Sequence, residues 1–176
     1  IESRIVDQAD ILVQQWQRSA YRVAMQPRDF VWGSNAVAMN QAMVLLQAYR
    51  LRGGSDYLDA AQSQLDYVLG RNPLGRSYVT GFGSRPPLHV HHRVSAADGI
   101  VEPVPGWLAG GPNPGRQDAK DCTGSPYPSA LPALAYIDEV CSYASNEVAI
   151  NWNAPLVYVL AALQSSLVAE PAPPND

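Results

Sequence analysis

Three imidazoles and a guanidinium stand almost side by side in His89-Val90-His91-His92-Arg93. They are approached through Ser77-Tyr78-Val79-Thr80-Gly81-Phe82-Gly83-Ser84-Arg85-Pro86-Pro87-Leu88. In that approach Gly81 and Gly83 allow turns closed to other residues, and Pro86-Pro87 stiffens the chain. Three chemistries suit the cluster. Zinc binding is one, but His89 and His91 point the same way on an extended segment while His92 points the other, and no Cys or carboxylate stands close in sequence. A loop whose imidazoles merely satisfy buried backbone groups is the second. The third is recognition of a polyhydroxylated or anionic ligand, for which imidazole and guanidinium supply directed donors. Clustering of this kind is more usual at sites, which favours the third.

A second constellation runs from Tyr136 to Ala154 and contains Asp138, Tyr143, Glu147, Trp152 and Asn153. Glu147 stands between apolar Val148-Ala149 and a run of amides and aromatics, a setting that suits a carboxyl serving as general acid. The plainer alternative is a solvated first-turn residue favoured by a helix dipole. Asp138, likewise, reads more readily as a cap or local hydrogen-bond acceptor than as a catalyst.

The elements that must position these groups are helices. Ile5, Ala9, Leu12, Trp16, Ala20 and Val23 form one stripe before Pro27 interrupts, which predicts a first helix. From Asn35 to Leu51 two apolar stripes coexist, so this helix is covered on more than one side. Ser34 is the expected cap at its start and Gly53 its stop. Ser55 is the expected cap of a third helix with the stripe Leu58, Ala61, Leu65 and Val68, ended by Gly70 and Pro73. Pro155 fits the first turn of a last helix carrying Leu156, Val159, Leu163 and Leu167. Residues 170–176 are expected to form a flexible tail. Between the helical parts, Arg71 to Ala135 holds ten of the 15 Pro, nine of the 13 Gly and all 3 His. A connection of that length is either functional or disordered, and its Trp, Tyr and His content favours function. No alternating strand pattern or internal repeat is visible.

Composition narrows the partners. The 176 residues carry 12 basic and 16 acidic side chains, a net charge of −4, and charged residues make up only 16%. That balance excludes a phosphate-neutralising surface, so no nucleic acid is expected. No apolar run approaches the ~20 residues of a bilayer span, so no membrane is expected. The N-terminus, Ile1-Glu2-Ser3-Arg4, reads as the product of a cut. Cys122 and Cys141 can pair or stay reduced, and neither stands in a C-x-x-C arrangement.

Both constellations resemble the two active-site signatures of glycoside hydrolase family 9, cellulases that are mostly endoglucanases. The first matches at Ser77, Val79, Thr80, Gly83, Arg85 and His91-His92-Arg93. The second matches at Tyr136, Asp138, Tyr143, Glu147, Ala149, Asn153 and Ala154. The similarity extends through Asp66-Tyr67-Val68-Leu69-Gly70-Arg71-Asn72-Pro73 and Gly110-Gly111-Pro112-Asn113, covering the chain from about Phe30 to Leu163. Trp152 stands where many members carry Tyr, and Val90 where many carry Pro.

The resemblance implies an all-α fold, the C-terminal part of an (α/α)6 barrel with long irregular active-site loops. Residues 1–169 would be that part of a single catalytic domain, whose N-terminal part would be the chain's partner. It implies hydrolysis of β-1,4-glucosidic bonds with inversion, acting on a β-glucan or cello-oligosaccharide. Glu147 would be the general acid and His91 would bind sugar near the cleavage point, assisted by Arg93. Asp138, the other carboxylate of the signature, would hold the site through hydrogen bonds. His89, Tyr143, Tyr78 and Trp152 complete the expected sugar-binding set. The water-activating base, an Asp in an upstream Asp-Ala-Gly-Asp type motif, has no match here, since Ala97-Asp98-Gly99 follows the His motif. The resemblance implies no cofactor for catalysis, admits a structural calcium, and places the protein outside the cell. Two further readings remain open at this point: a non-catalytic carbohydrate-binding module derived from such an enzyme, and a zinc-stabilised structural domain built on the His loop.

Overall fold

The computed structural model describes residues 1–168, and the expected tail at 170–176 lies outside them. Among the described residues four long helices form the frame: α1 (Glu2–Arg18), α2 (Ser34–Arg52), α3 (Ser55–Val68) and α6 (Ile150–Val168). Two short ones, α4 (Arg93–Ala97) and α5 (Tyr143–Asn146), lie in the long segment between α3 and α6. Single 3-10 turns occur at Pro27–Asp29 and Pro132–Leu134. Among the described residues there is no strand, only isolated bridges pairing Val79 with Leu108, His91 with Glu147 and Ala109 with Val148.

α2 is the centre of the core and packs against α1, α3 and α6. It is covered on more than one side as expected, although the buried face is built by Ala38, Met39, Ala42, Leu45, Leu46 and Ala48, and Leu51, at the end of one expected stripe, is exposed. Val6, Ala9 and Leu12 of α1 meet it from one side, and Leu156, Val159 and Leu163 of α6 from another. Each fully buried Leu here stabilises by roughly 1.5–3 kcal/mol.

The helix ends differ from the sequence-based expectation. α1 stops at Arg18, with Ser19 extended at φ −79 and ψ 133, so Ala20 and Val23 are not helical. The chain from Val23 to Met25 is buried in irregular form, and the N–H of Ala24 donates to Gln64 Oε1. Ser34 and Ser55 are first helical residues rather than caps, their places being taken by Gly33 and Gly54. Ser34 Oγ instead donates to the carbonyl of Pro112 at 2.8 Å, which docks the start of α2 on the loop at Ala109–Pro112. Gly53 does close α2. α6 begins at Ile150, so Pro155 lies inside it rather than in its first turn and removes one helical donor.

The segment after α3 is ordered by close packing of backbone on backbone. Tyr78 N–H donates to Val68 O at 2.8 Å, and Ala109 N–H to Tyr78 O at 2.9 Å. Gly111, at φ +96, lies so close to the Asn35 side chain that no Cβ fits between them. Cys122 and Cys141 form a disulfide, which ties the turn at 118–122 to the residues just ahead of α5.

Candidate active site

Glu147 is the first residue past α5, at φ −66 and ψ 150. Its position is fixed by backbone bonds on both sides. His91 N–H donates to Asn146 O and Gly110 N–H donates to Glu147 O, each at 2.8 Å. The two sequence constellations therefore meet as neighbouring chains, with the His loop beside the carboxyl that sequence spacing alone keeps 56 positions away.

One ring bonds the carboxyl and two more pack in series beside it. Trp32 Nε1 donates to Glu147 Oε2 at 3.3 Å. Tyr143 lies 5.5 Å from Trp32 between ring centroids and 5.8 Å from His91. Tyr143 is fixed in turn, its hydroxyl donating to Gln117 O at 3.2 Å and Asp121 Oδ2 at 3.1 Å. The bond to Asp121 pushes its hydroxyl pKa up. His91 Nδ1 lies 2.5 Å from Val140 O. A carbonyl only accepts, so Nδ1 carries the proton and Nε2 is left for a ligand.

Asp138 does not join this group. One carboxylate oxygen takes the Arg76 guanidinium at 2.8 Å and the N–H of Leu88 at 2.9 Å. The other takes the N–H of His89 and the Asn146 amide, each at 3.0 Å. Burial works to raise its pKa. The Leu88 and His89 N–H groups, Arg76 and Asn146 together outweigh burial and hold the carboxyl below the ordinary 3.8. With its oxygens so engaged, Asp138 fastens the His loop to the residue before Glu147.

The other expected ligand residues separate. Tyr78 is 0% exposed, packed between Tyr67 and Tyr136 at centroid distances of 5.9 and 5.0 Å, so it is a core residue and not a sugar contact. Trp152 is half-buried against Gly33 and Gly110, supporting from behind the turns that carry Trp32 and the Gly110 donor. His89 is exposed, with its backbone engaged on both sides by Asp138 and Asn146. Arg93 is exposed at the start of α4. His92, the third imidazole, accepts from Ser95 N–H at 3.3 Å and lies edge-on to Trp107. Its role is to cap α4. Among the described residues no three His, Cys, Asp or Glu side chains converge as a metal site.

Trp32 was not visible as a functional residue from spacing. The one local signal is its place in Phe30-Val31-Trp32-Gly33-Ser34, an aromatic just ahead of a turn that opens a helix buried on two sides.

The loops of a helical scaffold thus bring together one carboxyl, an imidazole and an indole and a phenol ring, groups suited to a polyhydroxylated ligand. The chain belongs to glycosyl hydrolase family 9, whose family model matches residues 3–160. It is 51% identical over 142 residues to a xyloglucan-specific endo-beta-1,4-glucanase of Bacteroides ovatus, covering 80% of this chain and 23% of that protein. Its fold superposes on the crystal structure of a family 9 endoglucanase, J30, with a TM-score of 0.83 at 35% identity, covering 92% of this chain and 30% of the other. It also matches AaCel9A solved with a cellobiose-like isofagomine, with a TM-score of 0.81 at 42% identity, covering 93% and 31%. The fold is thus a partial (α/α)6 barrel, and the chain spans less than a third of these relatives.

Proposed function

We propose that this chain is the part of an inverting β-1,4-glucanase that carries the general acid, Glu147. The observation that carries the reading is the Trp32–Glu147 bond, which holds the carboxyl by Oε2; Oε1 would then face the substrate. In the reaction, Glu147 gives its proton to the glycosidic oxygen as the C1–O bond breaks. Water adds to C1 from the opposite face and passes its proton to a base roughly 6.5–9.5 Å away, which the rest of the domain would supply. These steps use side chains alone and need no cofactor. Trp32 and Tyr143 would offer ring faces to the sugar, and His91 Nε2 a polar contact to a hydroxyl. Arg93 and His89 would line the approach. The substrate class is a β-1,4-linked glucan, in line with the names of the relatives. A stand-alone binding module is not favoured beside relatives named as endoglucanases. Export from the cell is supported by the Cys122–Cys141 disulfide, since such bonds persist in oxidising compartments.

The test is the full-length protein acting on cello-oligosaccharides, followed by proton NMR. The α-anomer is expected to form first; β-anomer first would overturn inversion, and no turnover would overturn hydrolysis. Residues 1–176 alone are expected to give no turnover, for want of the base. In the full-length protein, Trp32→Phe should keep the ring on Tyr143 but lose the N–H. Turnover should fall about tenfold, the worth of one hydrogen bond to a carboxyl, with KM changed less than about twofold. A larger change in KM than in kcat would mean that Trp32 acts through its ring face alone and not through its bond to Glu147.

A further inference from the structure

Asp118 is a carboxyl with 0% exposure and, among the described residues, no cationic partner. Burying a carboxyl without an opposite charge is costly unless hydrogen bonds repay it, so its bonds indicate what it is for. Oδ2 accepts the N–H of Ala144, inside α5, at 2.7 Å. Oδ1 accepts the hydroxyl of Tyr127 at 2.8 Å. That hydroxyl in turn lies 2.9 Å from Ser142 Oγ, just ahead of α5, and 3.2 Å from Ser145 Oγ, within it. Burial, with the Asp118 bond adding to it, pushes the Tyr127 hydroxyl up to about 12 and keeps it a donor. Both oxygens of Asp118 therefore lead to α5, one directly and one through Tyr127.

α5 has four residues, too few to hold a helical turn by itself, because the first turn of a helix is unfavourable to form. Its N-terminal N–H groups need acceptors from elsewhere, and Asp118 supplies one. Asn113 holds the other side, its amide donating to Ala144 O at 3.0 Å. The turn bearing Asp118 is closed by its own carbonyl, which accepts from Asp121 and Cys122, and is tied to the segment ahead of α5 by the Cys122–Cys141 disulfide. Glu147 follows directly on α5, so any tilt of this turn moves the carboxyl.

We propose that Asp118 is a positioning residue for Glu147: it clamps α5, and through α5 sets where the acid's proton is delivered. It touches neither the carboxyl nor a substrate. The inference rests on Glu147 being the general acid, and it predicts a loss confined to reactions that need one. Misplacing a reacting group by an ångström costs about 10²-fold.

In the full-length protein, Asp118→Ala should lower kcat on an unactivated cello-oligosaccharide by about 10²-fold. On a cellobioside with a dinitrophenolate leaving group, which departs with little help from an acid, the loss should stay under about fivefold. Asp118→Asn should recover most of the loss, because its amide oxygen can accept from Ala144 while its NH2 donates to Tyr127. If Asp118→Ala does not fold, Tyr127→Phe carries the test, with a smaller loss of the same selectivity. Equal losses on both substrates, or no loss in a folded variant, would overturn the positioning role. An inactive wild type would instead remove the hydrolase reading, and the role of Asp118 with it.

Discussion

Glu147→Gln should cut turnover of unactivated cello-oligosaccharides by about 10³-fold, within the range that a positioned general acid supplies. Gln has nearly the shape of Glu and still offers an oxygen to Trp32 Nε1, so the bond that orients the side chain survives. The backbone bonds that place residue 147 come from Gly110 and from the His91–Asn146 pair and involve no side chain of 147. Stability should therefore change by no more than about 0.5 kcal/mol. What is lost is the proton. On a substrate with a dinitrophenolate leaving group, where little protonation is needed, the variant should stay within about tenfold of wild type. The two rates are measured side by side on the full-length protein, with a thermal melt to show that the fold is kept. Near-normal turnover of the unactivated substrate would exclude Glu147 as the acid.

How much of this was readable in advance differs residue by residue. The His loop and the Glu147 segment were legible because each packs several chemical residue types into one short stretch. Their meeting was not, since it depends on backbone pairing between residues far apart in sequence. Periodicity found α2, α3 and α6, but not their first residues: at α2 and α3 a Gly with free backbone takes the place of a hydroxyl cap, and α6 starts five residues ahead of Pro155. The stripe in α1 extended too far: Val23 is buried as the pattern requires, but in irregular chain held by Gln64. Tyr78 and Tyr143 sit in equivalent-looking motifs, yet one is core and the other packs on Trp32, the ring that bonds the carboxyl. The difference is made by Tyr67 and Tyr136 closing over Tyr78, which no local pattern encodes. Trp32 escaped for the same reason, as a single ring whose partner lies 115 positions away. The disulfide was undecided because nothing local tells where the loop between Cys122 and Cys141 turns back.

Asp138→Ala should act on the other side of the site and leave a different signature. The carboxylate gathers Arg76, two backbone N–H groups of the His loop and the amide of Asn146. Removing it leaves four donors without their acceptor at a half-buried site. Breaking a buried ion pair costs about 3–5 kcal/mol, and here about 3 is expected, since the Arg76 and Asp138 side chains keep 23% and 12% of their exposure. The freed Leu88–His89 backbone lets His91 shift, so the activated and the unactivated substrate should both lose rate. That equal loss separates Asp138 from Glu147, whose removal spares the activated one. The pH dependence has a definite sign. The folded carboxyl titrates below its ordinary 3.8, so its contribution is complete above that value and fades as pH falls through the lower folded one. Wild type should therefore lose stability across that acidic window, while Asp138→Ala, already lacking the contribution, should lose less over the same span. Unfolding by denaturant at neutral pH and again near pH 3 measures both slopes. Equal slopes would mean that the four donors do not favour the ionised form, and that Asp138 holds the His loop by shape rather than by charge.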